Sequence, residues 1–345
     1  MTAFPKEKLF DITLEIINGR QSEVIVSVDD IAYYEEACAR LLGDAPSRAV
    51  EEILDLKHLY PFFYFLPFVF GHGLTSDRHA VRRAALAFSL CVRKVMIVDW
   101  STDHQEAQIQ HRGLKHFRSA HLGYYLQQLD DWFYGVCYEL FPSGHPFWAH
   151  HRTFLHSYLG AMLNEQARNQ EAMGASEGSA LIQQQSLQKS ALIQLCATMI
   201  VALSGRMEDL PVYRQMIEAF ILLLTLIDDS SDYVEDARSG QASALVQFLT
   251  NGESSPHFDE SLQKALMIKF YLGGGLEFVR DKQEAQFEIL FELVRKHEHE
   301  LPLLAWKTCL ENLKSVCADG LATRERERKV IADMLQNSKE ILCDC

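Results

Sequence analysis

A chain of 345 residues with 48% hydrophobic residues and only nine prolines can bury a sizeable core, which excludes a disordered or fibrous protein and leaves one large domain or two ordinary ones. A formal net charge of -14 excludes a general nucleic-acid binder, because such a protein needs a basic footprint to displace counterions. Anionic ligands stay open, since divalent cations held by clustered carboxylates invert the local sign.

In chain order, Pro5 suits a first helical position, and Leu9, Ile12, Leu14, Ile16 and Ile17 predict a short amphipathic helix closed at Asn18 and Gly19. Glu23 to Val28 alternates like a strand but has no partner, so it is expected to be an extended connection ending an N-terminal segment, 1–29. Asp29 and Asp30 can cap a helix through Leu42, closed by Gly43, and another helix follows Ser47. Tyr60 to Phe70 is an aromatic run with prolines at 61 and 67, suited to core packing or to the wall of a cavity.

Ser76 or Asp77 caps a long apolar helix, Arg78 to about Asp103, and further helices are expected over 114–140, 147–170, 186–203, 211–238, 258–272, 276–299 and 301–335, the last with a break at Gly320. The stretch 171–180 (EAMGASEGSA) reads as a flexible loop, and Gly273 to Gly275 as a helix break. The 3.6-residue period dominates and no repeat or sheet emerges. The expected fold is therefore all-α, a single domain over 1–345 built as one bundle of long helices.

Eight cysteines lie mostly in apolar helical stretches with no secretory leader ahead of them, so reduced, buried thiols in a cytoplasmic protein are expected. Cys343 and Cys345 form a CxC with no partner pair and read as a tail. No unbroken apolar run reaches the roughly 20 residues that span a bilayer, so no membrane segment is expected.

The chemistry concentrates where the apolar run Phe220 to Ile227 meets Asp228, Asp232 and Asp236. At i, i+4, i+8 these three drift by only about 40° per step and share one stripe of a helix. Like charges one turn apart each destabilise a helix by a few tenths of a kcal/mol, so solvent or a cation must neutralise them. The upstream run has no polar face and predicts a helix buried all round, which carries the acids into an interior. Asp229 points about 100° off the stripe and is expected to matter less. Asp99 and Asp103 repeat the one-turn spacing at the end of a second apolar helix. Hard oxygens without neighbouring Cys or paired His select Mg²⁺ or Mn²⁺ over zinc. Two such helix ends suit a diphosphate clamped by several metals above an apolar interior that takes a hydrocarbon tail.

Asp228-Asp229-Ser230-Ser231-Asp232 resembles the DDxxD motif of the class I isoprenoid synthases, the all-α superfamily of prenyltransferases, squalene and phytoene synthases and terpene cyclases. Asp228, Asp232 and Asp236 match the cyclase triad written NDxxSxxxE with Asp at all three positions, Asp232 to Asp236 is similar to the DYxED of squalene synthases, and Asp99 with Asp103 resembles their first DxxxD. The resemblance implies long antiparallel helices around a central apolar cavity, and a terpene synthase that ionises an allylic prenyl diphosphate of ten to twenty carbons or longer. It assigns the catalytic, metal-binding role to Asp99, Asp103, Asp228, Asp232 and Asp236, with three Mg²⁺ (or Mn²⁺) ions. Arg112, Lys189, Arg238 and Arg280 are the candidates for binding the diphosphate. A homodimer is compatible with it.

Residues 1–43 offer only scattered Lys6, Lys8, Arg20 and Arg40 for a second diphosphate, which disfavours condensation with isopentenyl diphosphate. The Arg-Tyr pair of many cyclases is missing, and Arg324, Arg326 and Arg328 read as a solvated charged run. Coupling of two prenyl diphosphates, in the manner of squalene synthase, is the alternative, and a non-catalytic helical scaffold stays open. A di-iron bundle is excluded by the lack of paired Glu-x-x-His, and a zinc protease by the lack of His-Glu-x-x-His. His150, His151, His156, His297 and His299 suit packing or surface, and Asp130 with Asp131 a helix surface.

Overall fold

The computed structural model describes residues 6–19, 24–43, 61–103, 106–111, 114–174, 178–252 and 258–343. These are helical, with no strand among the described residues, so Val24 to Val26 is irregular and not extended sheet. The helix expected after Ser47 and the end of the CxC tail lie outside them. The helices are α1 (Lys6–Asn18), α2 (Val28–Leu42), α3 (Pro61–Gly71), α4 (Arg78–Asp103), α5 (Glu106–His111), α6 (Leu122–Leu140), α7 (Phe147–Leu163), α8 (Glu165–Gly174), α9 (Gly178–Lys189), α10 (Leu195–Ser204), α11 (Leu210–Ser239), α12 (Ala244–Thr250), α13 (Glu260–Leu272), α14 (Gly275–His297) and α15 (Leu304–Cys343). The chain divides into two compact units, one of Met1–Tyr158, Ser190–Ile217 and Leu293–Asn312, the other of Leu159–Lys189, Glu218–Glu292 and Leu313–Cys345.

The first unit is organised around α4, which packs against α2, α3, α6 and α10. The aromatic run of α3 supplies core, as its composition suggests: Phe65, Leu66 and Phe68 are wholly buried, and Phe70 meets Trp306 edge-on at 4.5 Å. Asp30 joins α2 to α4. Ser27 caps α2, correcting the expected caps at Asp29 and Asp30, because its hydroxyl accepts the Asp30 N–H at 3.3 Å and its own N–H donates to the Asp30 carboxylate at 2.7 Å. That carboxylate is fully buried and accepts from Arg82 Nε at 2.7 Å and from Arg78 Nε at 3.0 Å. Burial pushes the Asp30 carboxyl up, but the hydrogen bonds from Arg78, Ser27 and Arg82 outweigh it and hold it down at about 2.

Several boundaries differ from the pattern in the sequence, each for a local reason. The helix expected from Leu114 starts at Leu122, because α5 captures the preceding backbone: Gln110 donates to the Phe117 carbonyl at 2.9 Å and Glu106 accepts the Ser119 N–H at 2.8 Å. The stretch 147–170 breaks at Asn164, whose side chain bonds back to the Gly160 carbonyl at 3.0 Å. Of the loop expected at 171–180, residues 171–174 finish α8 and 178–180 begin α9; Glu, Ala and Met there are good helix formers. The expected helix over 186–203 is split among α9, a single turn of 3-10 helix and α10. Helix α15 runs straight through Gly320, where one glycine costs only about 1 kcal/mol relative to alanine.

Helix α11 is long and apolar enough to cross a membrane, a property hidden when only unbroken apolar runs are counted. Its Tyr213, Met216, Ile217, Phe220 and Leu223 are wholly buried in protein, although only 44% of its apolar stretch is buried. The cysteines at 38, 91, 137, 196 and 309 are buried and form no disulfide among the described residues, as their apolar setting suggests.

His151 stacks on Phe133 at 5.4 Å and is 5% exposed, and Asp130 beside it is held by Lys94 at 2.6 Å. Burial, with Lys94, pushes the His151 imidazole down to about 4 from 6.5. The unfolded chain therefore binds the extra proton first, and stability fully present above pH 6.5 is lost as pH falls toward 4, by about 3 kcal/mol. His151→Phe should flatten that part of a denaturant-unfolding profile. Asp30 acts in a lower window, stabilising above pH 3.8 and losing its effect as pH falls through about 2. Asp30→Asn should cost about 3–5 kcal/mol at neutral pH, since it strips two arginines of their buried partner.

Candidate active site

Helix α11 changes character along its length. Phe220, Ile221 and Leu223 are buried, whereas Leu222, Leu224, Leu226 and Ile227 are half-buried, so the helix is not enclosed on all sides as its sequence suggests. Just above this apolar surface Asp228 is exposed, Asp229 is buried, and Asp232 and Asp236 are half-buried. Asp229, Asp232 and Asp236, at i, i+3, i+7, fall within about 60° of one another on the helix. Asp229 thus belongs to the buried stripe, which corrects the expectation that it stands apart; counting from Asp228 in steps of four hid the tighter heptad spacing.

Burial pushes the Asp229 carboxyl up to about 8, reinforced by the charges of Asp228 and Asp232 and opposed by the Ala244 backbone N–H. Burial likewise raises Asp232 to about 8, with Asp228 and Asp236 adding to it. Asp236 rises to about 7 through burial and Asp229, against a hydrogen bond from Ser243 and the positive charge of Lys189. Four acids therefore share one electrostatic site on one helix.

A second feature escaped the sequence reading although its signal was present. Ser230 and Ser231 both donate to the Ile227 carbonyl, at 2.7 and 3.3 Å. At the end of α4, Ser101 and Thr102 both donate to the Val98 carbonyl, at 2.8 and 2.9 Å. Val98-Asp-Trp-Ser-Thr-Asp103 and Ile227-Asp-Asp-Ser-Ser-Asp232 are thus one pattern with one local geometry: a carbonyl just ahead of the first aspartate takes both hydroxyls, turning them away from the acids. Asp99 is half-buried in the first unit, and Asp103 is the last residue of α4.

Of the four cations proposed for a diphosphate, Lys189 bears on the acid stripe directly, through its charge on Asp236, while its ammonium is paired with Glu165 at 2.5 Å. Arg238 is exposed, bonds Gln263 at 3.3 Å and lies over Phe258. Arg280 is paired with Glu325, and Arg112 lies outside the described residues. Of the C-terminal arginines expected to form a solvated run, Arg326 is exposed and bonds only to its own helix, whereas the other two are partly buried and engaged elsewhere. Arg324 donates to the Ser230 carbonyl and Arg328 pairs with Glu277, because the alternating charges of α15 face partners on α11 and α14.

No protein-family model and no curated protein matches the sequence. The structure does match the crystal structure of a polyprenyl synthase from Caulobacter crescentus CB15 complexed with calcium and isoprenyl diphosphate, with a TM-score of 0.67 and 12% identity over 88% of this chain and 95% of that one. The fold is the isoprenoid synthase fold.

Within this isoprenoid synthase fold the acid stripe suits a hard divalent cation. Its donors are carboxylate oxygens alone, and burial first, then their mutual repulsion, raises their proton affinity. Among the described residues no three His, Cys, Asp or Glu side chains are placed to hold a metal ion together, so the stripe is not a preformed metal site, and an ion there would depend on water and ligand oxygens for most of its shell. The sign of the stability effect is fixed by the raised carboxyls. Without divalent ions the native state holds more protons than the unfolded chain between pH 4 and 8, so the melting temperature should fall as pH rises through that range. Added Mg²⁺, or Asp232→Asn, should flatten the fall in a thermal-shift series.

Proposed function

We propose that this chain is a class I terpene synthase, a magnesium-dependent lyase of isoprenoid biosynthesis that ionises an allylic prenyl diphosphate and steers the carbocation to a cyclic or rearranged terpene. The observation that carries the proposal is the stripe Asp229, Asp232 and Asp236, whose carboxyls are pushed up to neutral pH by burial and by one another just above half-buried leucines. Such a stripe would take divalent cations as its neutralising partners. Bound there, they supply Lewis-acid stabilisation of the charge that develops on the departing diphosphate. Asp228 extends the stripe at its N-terminal end, and Asp99 with Asp103 is a second acidic set on α4. Lys189, paired with Glu165 and near enough for its charge to act on Asp236, would be the cation nearest the anion, while Leu222, Leu224, Leu226 and Ile227 offer apolar surface that would keep water from the hydrocarbon.

A second reading is coupling or elongation of prenyl units. It is favoured by the polyprenyl synthase fold and by the Asp232-Tyr233-Val234-Glu235-Asp236 sequence. Incubation with Mg²⁺ and allylic diphosphates of ten, fifteen and twenty carbons, singly, with isopentenyl diphosphate and with NADPH, separates the two. A monomeric terpene from one substrate is expected; a product lengthened by five carbons, or doubled, would favour the second reading. Asp99→Ala and Asp232→Ala should each lower turnover by at least about 100-fold, the effect of losing one electrostatic stabiliser worth some 3 kcal/mol. Asp229→Asn should be as damaging as Asp232→Asn. Small, equal effects at all three with unchanged Mg²⁺ dependence would mean that the acids are only a solvated helix end.

A further inference from the structure

We propose that Arg324 is a positioning residue that locks the aspartate turn of α11 for cation binding, tying α15 to the candidate active site; this rests on the metal-holding role assigned to that turn. The guanidinium donates from Nη1 to the Ser230 carbonyl and lies 3.5 Å from the Ser231 hydroxyl through Nη2. Both acceptors sit between Asp229 and Asp232. The Ser230 carbonyl has a second lone pair to give, so this bond adds to the helix ladder and does not replace a rung.

The direction of Arg324 is set by packing. Its guanidinium lies over Phe270 at 5.3 Å, and Phe270, wholly buried, stacks on Tyr233 at 4.6 Å, the residue after Asp232. Phe270 can stand there because α14 begins on glycine: a Cβ at Gly275 would come within 2.6 Å of the Phe270 Cα. One turn along the same face of α15, Arg328 pairs with Glu277 and Glu327 accepts the Tyr271 hydroxyl at 2.6 Å, which fixes the register of α15 against α13 and α14. Carboxylates that repel one another would splay their turn apart. The Ser230 and Ser231 hydroxyls hold it from within by bonding to Ile227, and Arg324 holds it from outside.

The test is Mn²⁺ binding to the full chain, followed by electron paramagnetic resonance without any diphosphate, with melting temperatures measured alongside. The variants are Arg324→Gln, Arg324→Lys, Arg328→Gln and Asp232→Asn, and inorganic pyrophosphate binding is measured separately. Arg324→Gln should weaken Mn²⁺ binding by about tenfold, as loss of a group that orients ligands does, and Arg324→Lys should recover part of it. Arg328→Gln, which breaks an ion pair on the same helix without touching the aspartate turn, should lower the melting temperature and leave Mn²⁺ affinity at the wild-type value. If Arg324→Gln does not fold, Arg324→Lys decides by the same reading. Unchanged Mn²⁺ affinity in folded Arg324 variants overturns the proposal, as does an equal loss in Arg328→Gln. Weaker pyrophosphate binding with intact Mn²⁺ affinity also overturns it, because Arg324 would then be an anion ligand. If the wild type shows no Mn²⁺ binding that Asp232→Asn removes, the metal-holding reading itself falls.

Discussion

Carboxylates on a half-buried helix face cannot all be charged at once without a cation, and that constraint governs the second unit. Helix α11 spends its first two-thirds in apolar contacts and its last third on aspartates, so its backbone hydrogen bonds are secure while its side chains conflict. The surroundings answer the conflict in three ways. Lys189 and Ser243 reach Asp236, the Ala244 N–H reaches Asp229, and the hydroxyls at 230 and 231 turn onto the backbone. Each relieves part of the strain, and none removes the charge.

The first unit solves the opposite problem. Asp30 is a single carboxylate supplied with more positive charge than it carries, from Arg78 and Arg82, and with backbone donors as well. A carboxylate so surrounded is held ionised, a structural acid; Asp229, Asp232 and Asp236 are pushed up toward neutral pH by burial, the kind of perturbation that clusters at functional sites. The contrast separates the two kinds of aspartate within one protein by environment alone.

Much of the architecture was legible in the sequence. The apolar periodicity gave α4 from Arg78 to Asp103 and placed α11 within a residue of each end, because long amphipathic stretches leave no competing choice. The short pieces were not legible. Helix α12, capped by the Ser243 hydroxyl on Val246, and the late start of α6 are decided by single side-chain-to-backbone bonds that no periodicity records. At the site, the acid-rich character of α11 was plain, but the partner of the Ser230 carbonyl was not. Arg324 lies 94 positions away in a charged run that looks solvated, and only the fold brings it to the helix.

The paired hydroxyls on the Val98 and Ile227 carbonyls supply a criterion for recognising distant relatives of this chain. Acidic motifs alone are common on helices and say little. A β-branched residue, an aspartate, any residue, serine, serine or threonine, and a second aspartate is a stricter pattern, because the hydroxyls have a partner only if the stretch is helical and the carbonyl before the first acid is open to them. Two copies of that hexapeptide in one all-α chain would mark kinship at identities where whole-sequence likeness has faded, and replacement of the middle pair by alanine would mark a lineage in which the acids are held some other way.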